Sequence, residues 1–326
     1  MTDLLTVSNV HMSYSTTRRI ARRGDPKAVR ALDDVSFGVA RGETLAVVGE
    51  SGSGKSTLAR CIIGLLAPTE GRIVFDGRDI TTLTTREMRS IRRDISMVFQ
   101  DPYASLDPRQ SVESIIGEPL RVHRLADSKT ARGRVGELLE IVGLHPQHAR
   151  RYPNELSGGQ RQRVGIARAL AANPKLIVCD EAVSALDVSV QAQVLNLLRD
   201  IQREFSLTYV FISHDLGVVR YVADRAIVMY RGRVVEQGSR DEIFDRPKHP
   251  YTADLLAAVP EPDPQARQLE FGYEMVEQKL ALSSDDNGCA YAPRCARMSP
   301  DLCLTEVPKL RSAGGGEAAC FLPLGQ

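Results

Sequence analysis

Residues 44 to 66 read TLAVVGESGSGKSTLARCIIGLL, and within that span a continuous apolar run gives way to a Gly/Ser loop and then to apolar residues at helical spacing. An uninterrupted apolar strand is buried on both faces, which is the behaviour of a parallel sheet covered by helices. Leu58, Cys61, Ile62, Leu65 and Leu66 mark the inward stripe of the helix that follows. The loop between them, GESGSGKS, fits the phosphate-binding pattern at Gly49, Gly54, Lys55 and Ser56, in the strand-to-helix setting which that pattern requires. Gly49, Ser51, Gly52 and Gly54 make a stretch whose backbone N–H groups can turn inward around phosphate oxygens. The helix start at Lys55, Ser56 and Thr57 adds its positive dipole end. Lys55 would neutralise the β- and γ-phosphates and Ser56 would ligate Mg²⁺, so a nucleoside triphosphate is the implied ligand.

The strand signature returns at PKLIVCDE (174–181) and LTYVFISHD (207–215). Between them Val190, Val194, Leu197, Leu198, Ile201 and Phe205 form one helical stripe, so the segment is a βαβ crossover and the core is α/β. From about 103 to 172 the chain turns helical and polar, as in SKTARGRVGELLEIVGL, and is expected to be a helical insertion. VMYRGRVVEQGS reads as a strand hairpin, and the remainder of the first 100 residues as short β runs. Proline clusters near 260 are expected to end the catalytic domain, giving a 1–260 domain and a 261–326 extension that begins with a linker. No internal repeat is present, so the chain holds one such unit.

With 43% apolar and 25% charged residues, the chain has an ordinary globular composition and not that of a disordered, collagenous or coiled-coil protein. A net charge of +1 leaves no footprint for bulk nucleic-acid binding, and no nucleic-acid partner is expected. One run, RRIARRGDPKAVR at 18–30, is basic. It is either a solvated loop or a patch in which Arg18, Arg19, Arg22 and Arg23 face a membrane surface or a protein embedded in it. No charged leader precedes a long apolar stretch and no 18-residue apolar window occurs, so a cytosolic chain that does not span a bilayer is expected.

The strand LIVCDE ends in Asp180 and Glu181, at the strand edge where α/β sheets bind their ligands. Adjacent side chains diverge, so Asp180 can serve the Mg²⁺ shell while Glu181 polarises the attacking water as general base. About twenty residues earlier lies LSGGQRQR (156–163). Phosphate loop, LSGGQ, LIVCDE, SALD and FISHD, in this order, resemble the nucleotide-binding subunits of ABC transporters over residues 3 to about 260. The resemblance implies a P-loop NTPase fold with a helical subdomain, an ATPase that uses ATP and Mg²⁺, and head-to-tail pairing of two such domains. Ser157, Gly158 and Gly159 of one subunit would then cap the ATP on the phosphate loop of the other, a second helix N-terminus suited to an anion. Gln100 matches the loop glutamine that reads Mg²⁺ and γ-phosphate, His214 the switch histidine, Asp187 the aspartate that signals across the dimer, and Tyr14 the aromatic that stacks on adenine. Ala182 stands where many relatives have proline, and every catalytic position is filled.

The end of the chain adds HPYTADLLAAVP, then GCAYAPRCARMSPDLC and a final Cys320. This Cys-rich extension resembles that on ATPase subunits of oligopeptide, dipeptide and nickel importers, and the chain resembles the second of their two paired ATPases. Cys289, Cys295, Cys303 and Cys320 lack the tight spacing of zinc ribbons and common ferredoxins, so spacing leaves zinc, an iron–sulfur cluster and free thiols all open. The resemblance implies a four-iron, four-sulfur (4Fe-4S) cluster of structural role. It also implies a homologous ATPase partner in a heterodimer (a homodimer stays open, since nothing needed for self-pairing is missing), two permease subunits, an extracytoplasmic solute-binding protein, and a peripheral position on the cytoplasmic face of the cell membrane. The expected function is an ATPase powering import of di- and oligopeptides through a separate permease, with a nickel or other solute importer of the same family as the alternative. Two readings without transport also stay open: a soluble ABC ATPase, and a P-loop kinase. The absence of a long coiled coil argues against the first, and LSGGQ against the second.

Overall fold

The computed structural model describes residues 3–14, 29–101, 103, 105–258 and 288–325. Most of the basic run at 18–30, including Arg18, Arg19, Arg22 and Arg23, and the expected linker from 261 lie outside the described residues.

In chain order the elements are β1 (Asp3–Tyr14), β2 (Val29–Ala40), β3 (Thr44–Val48), α1 (Lys55–Ile62), β4 (Glu70–Phe75), β5 (Arg78–Asp79), α2 (Thr85–Asp94) and β6 (Ile95–Val98). There follow α3 (Val112–Val122), α4 (Ser128–Ile141), α5 (Gly158–Leu170), β7 (Leu176–Asp180), α6 (Val188–Phe205), β8 (Thr208–Ile212) and α7 (Leu216–Val222). The chain continues with β9 (Arg225–Tyr230), β10 (Arg233–Ser239), α8 (Arg240–Asp245), α9 (Pro250–Ala257), α10 (Pro300–Cys303), β11 (Arg311–Ala313) and β12 (Gly316–Ala318).

Two sheets form. The larger has the order β11-β12-β10-β9-β3-β8-β7-β6 and the smaller β2-β1-β4-β5. β9, β3, β8, β7 and β6 run parallel, while β10, β12 and β11 are added antiparallel. Every residue of β3, β7 and β8 is buried, as their unbroken apolar runs require. Because these strands are parallel, their carboxyl ends share one edge. Gly49, Gln100, Asp180 and His214 all end or follow strands there.

β1 and β2 are each twelve residues long, where the sequence suggested only short runs. Repeated register shifts break their alternation. Asn9 and Asp34 take left-handed φ of 48° and 58° and join through an Asn9 Nδ2–Asp34 Oδ1 hydrogen bond of 2.8 Å. Short polar side chains tolerate that region best, so the irregularities sit on the residues that accept them.

The antiparallel sheet closes one apolar core against the main sheet, with Leu5, Leu32, Phe75, Leu58 and Ile212 among its members. Helices α3, α4 and α5 close a second core with α6. Among the described residues the C-terminal segment builds no core of its own: Tyr291 is buried in a third cluster with Tyr230, Val235 and Tyr251. Its hairpin β11–β12 pairs onto β10 through Glu236↔Ala318 and Gln237↔Glu317. Among the described residues no helix is long and apolar enough to cross a membrane.

Candidate nucleotide site

The loop from β3 to α1 needs its glycines at two points. Gly49 has φ 149°, and a Cβ there would stand 2.2 Å from the Met229 carbonyl oxygen. Gly54 caps α1 at φ 104°, with the Ala31 carbonyl oxygen 2.4 Å from where its Cβ would be. The backbone of β2 and of the β9–β10 turn therefore approaches the loop closely, and Gly232 N–H donates to the Ser53 carbonyl at 2.9 Å. Lys55 is 5% exposed, and its Nζ donates to the carbonyls of Gly49 (2.7 Å) and Glu50 (2.8 Å). Burial lowers the Lys55 pKa, against the pull of Glu181, Asp180 and Glu50. Extra negative charge beside this ammonium is thus stabilising.

Asp180, 9% exposed, accepts a 3.4 Å hydrogen bond from the Ser56 hydroxyl. Its pKa is raised, first by burial and then by the neighbouring Glu181. Two adjacent carboxylates beside a hydroxyl form a hard-oxygen donor set, and the strain on Asp180 is what a bound cation would relieve. Glu181 stands at the meeting point of three strand ends. Gln100 Nε2 donates to Glu181 Oε2 at 2.7 Å, and His214 Nδ1 lies 3.2 Å from Glu181 Oε1. Glu181 also holds a left-handed φ of 49°, which costs about 1–2 kcal/mol for a residue with a Cβ. Its N–H donates to Ile212 (2.9 Å), and Ser184 N–H donates to its carbonyl (3.1 Å), so local bonds hold the strained geometry.

Ser157 is exposed and caps α5 by accepting from Gln160 N–H, while the Gln160 side chain closes the capping box. Gly158 and Gly159 start that helix. A Cβ on Gly159 would stand 2.5 Å from Val190 Cγ1, so glycine is what lets α5 approach α6. Asp187 caps α6, accepting from Val190 N–H (2.9 Å) and Ser189 Oγ (2.7 Å), and these bonds lower its pKa. Thus Glu181 touches both Gln100 and His214, and Ser56 touches Asp180, whereas the contacts of Ser157, Gly159 and Asp187 are local to α5 and α6. Tyr14, 38% exposed, ends β1 opposite Val29, two residues from the Ala31 carbonyl that meets Gly54.

The four tail cysteines line one cavity, together with Tyr291 and Phe321. None is in a disulfide. Burial raises the thiol pKa of Cys289 and Cys295 and pushes that of Cys320 up to about 11, each further raised by neighbouring thiols. Among the described residues no three His, Cys, Asp or Glu side chains converge closely enough to hold a metal ion. The thiols therefore share a cavity without meeting at one point.

Three residues at the phosphate loop escape sequence reasoning: Glu50, Tyr251 and Arg294. Glu50 N–H donates to Tyr251 Oη, and Arg294 pairs with the Glu50 carboxylate across 244 positions of chain. No spacing rule links positions that far apart, although HPY at 249–251 is a compact enough cluster to attract notice.

Comparison with known proteins agrees with this geometry. Residues 32–184 match the ABC transporter family, and residues 235–303 match the C-terminal region of oligopeptide/dipeptide transporters. The oligopeptide transport ATP-binding protein AppF of Bacillus subtilis is 50% identical over 299 residues, covering 90% of each chain. A probable peptide ABC transporter ATP-binding protein of Sinorhizobium fredii, y4tS, is 52% identical over 295 residues, covering 90% of this chain and 83% of its own. Among solved structures, the ATP-binding cassette MJ0796, dimeric and bound to ADP and Pi, aligns with a TM-score of 0.64 at 33% identity over 72% of this chain and 98% of its own. The fold and the strand-edge site thus define a P-loop ATPase of the ATP-binding cassette class. The chain belongs to the ABC transporter family, among the ATP-binding subunits that carry the oligopeptide/dipeptide transporter C-terminal region.

Proposed function

We propose that this chain hydrolyses ATP to power import of di- and oligopeptides through a separate membrane permease. One arrangement carries the chemistry: the Glu181 carboxylate sits between Gln100 and His214, next to Asp180 and in the field of the buried Lys55. ATP phosphates would settle in the loop from Gly49 to Thr57, where Lys55 can exchange the Gly49 and Glu50 carbonyls for phosphate oxygens. Ser56, Asp180 and Gln100 would hold Mg²⁺, whose charge offsets that of the phosphates when it is bound. Glu181 takes the proton of the attacking water as general base. His214, in reach of Glu181, orients that carboxylate and meets the γ-phosphate side of the site.

Ser157, Gly158 and Gly159 are exposed or half-buried at the start of α5, which supports their use on a nucleotide held by a homologous subunit. Asp187, at the neighbouring helix start, would signal across that contact, and Tyr14 would stack on adenine. The pairing is read as a heterodimer, joined to two permease subunits that an extracytoplasmic binding protein supplies. Motion passes to the permease from the loop after Gln100, and the chain lies peripherally on the cytoplasmic face of the cell membrane. The ATPase domain is assigned to 1–260, with its helical subdomain at about 103–172, and the extension to 261–326. Cys289, Cys295, Cys303 and Cys320 are the ligands that the resemblance implies for a 4Fe-4S cluster of structural role, and binding it would have to draw together thiols that share the cavity without converging. Four thiols on one cavity supply the soft donors such a cluster takes. Anaerobic purification tests this assignment: roughly four irons and four sulfides per chain support it, and zinc or no metal refutes it.

The transport reading is tested by ATPase activity of the complex reconstituted with its partner subunits and binding protein. Stimulation by di- or oligopeptides is the expected result. Stimulation by nickel or another solute alone would transfer the chain to that branch, and absence of hydrolysis would refute the reading.

A further inference from the structure

The phosphate loop is gripped by two distant segments, α9 near the end of the ATPase domain and the Cys-rich extension. Tyr251, 1% exposed near the start of α9, accepts a 2.9 Å hydrogen bond at its hydroxyl from Glu50 N–H. Arg294 Nη1, from the Cys-rich segment, reaches both Glu50 carboxylate oxygens at 3.0 and 3.1 Å. The two grips are braced against each other. Tyr251 and Tyr291 rings lie 5.3 Å apart, and Tyr230, at the end of β9, packs on both at 4.6 and 5.3 Å.

Glu50 is the residue after Gly49 and is tied at every polar group. Its N–H and its carboxylate go to Tyr251 and Arg294, while its carbonyl accepts from Lys55 Nζ (2.8 Å) and Ser53 N–H (3.2 Å). The same residue therefore connects the C-terminal segment to the lysine that faces the phosphates. A loop that must present several N–H groups to one anion binds more weakly if its order has to be established at binding, and bracing it beforehand removes that cost.

We propose that Tyr251 and Arg294 are positioning residues for the phosphate loop: acting through Glu50, they hold it in its nucleotide-binding shape, so α9 and, through Arg294, the C-terminal extension are part of the nucleotide site. The Arg294 pair is half-exposed, with side chains 53% and 44% accessible, and by itself contributes little. The buried, ring-braced Tyr251 hydroxyl supplies the larger share.

The proposal rests on loop 49–56 being the phosphate cradle, so the test includes Lys55→Ala. In the full chain, affinity for a fluorescent ATP analogue with Mg²⁺ is measured beside kcat, KM and Tm. Tyr251→Phe keeps the ring and removes only the acceptor. Its Kd and KM should rise about 3- to 10-fold, the range of one net hydrogen bond, with kcat at saturation and Tm nearly unchanged. Arg294→Glu should weaken binding by repelling Glu50, and the charge swap Glu50→Arg with Arg294→Glu should recover it. The proposal is overturned if Tyr251→Phe binds nucleotide as the native chain does, or if affinity falls only in step with Tm and the swap recovers nothing. If Lys55→Ala binds normally, the cradle reading itself fails. If Lys55→Ala abolishes binding and Tyr251→Phe does not alter it, only the positioning role falls.

Discussion

Replacing Glu181 by glutamine separates its chemical role from its structural ones. Both oxygens of Glu181 are already engaged, by Gln100 Nε2 at 2.7 Å and by His214 Nδ1 at 3.2 Å. A glutamine can still accept from Gln100 through its oxygen and present its amide nitrogen to the His214 ring, so the cluster survives. The left-handed backbone at 181 is held by Ile212 and Ser184 through main-chain groups, which the substitution leaves alone. Asp180 is relieved, because the second cause of its raised pKa is the Glu181 charge. Folding and nucleotide binding should therefore persist, while the proton acceptor is gone. Loss of a general base slows hydrolysis by about 10²- to 10⁴-fold, or about 3–5 kcal/mol of barrier. Phosphate release by Glu181→Gln, paired with its partner subunits, is compared with affinity for the ATP analogue. A rate within tenfold of native, or a fall in affinity as large as the fall in rate, would refute the assignment.

Gly49→Ala drives a Cβ into the Met229 carbonyl at a φ that side chains avoid, so loss of analogue binding and a fall in Tm of several degrees are expected, read by fluorescence titration and thermal melting. Gly159→Ala pushes on Val190 Cγ1 and should lower ATPase activity by parting α5 from α6; Val190→Ala in the same chain should restore it, and no recovery would show that the contact is not the cause. Glu236, 2% exposed, accepts from Lys248 N–H (2.7 Å) and His249 N–H (2.8 Å) and so anchors the start of α9. Glu236→Gln turns a donor toward one of them, at about 1–3 kcal/mol, and should lower Tm. Burial holds the native carboxyl above its usual pKa, so the folded state binds that proton more tightly than the unfolded one and this contribution is lost as pH rises through the raised value. Tm measured against pH should therefore show the gap between native and Glu236→Gln narrowing toward high pH.

The legible parts of the fold are those governed by local pattern. The apolar runs of β3, β7 and β8 announce burial on both faces, and a glycine loop ahead of a helix announces an anion site. The meeting of Gln100, Glu181 and His214 follows one level up: each residue follows a strand of the same parallel sheet, and parallel strands align their carboxyl ends. The length of β1 and β2 is hidden because shifts at Asn9 and Asp34 break the alternation that periodicity depends on. The hold of Tyr251 and Arg294 on Glu50 is hidden for a different reason. It depends on how a distant segment folds back on the sheet, and neither spacing nor composition carries that information. The tail cysteines are intermediate: their clustering is plain in the sequence, while their shared cavity depends on Tyr291 docking beside Tyr251.

The hairpin β11–β12 also decides what the sheet shows to other molecules in solution. Without it, the seven-residue β10 would form the outer margin of the sheet, with buried Val234 and Val235 beside unpaired N–H and carbonyl groups. Such a margin invites strands from other chains, by the same hydrogen bonding that builds cross-β aggregates. With the hairpin in place, the margin is β11, three residues long and bearing Arg311. At the opposite side β6 is only four residues long. A chain cut near residue 260 would keep every side chain proposed for catalysis and still be prone to precipitate, so soluble yield and activity would report on different parts of the protein.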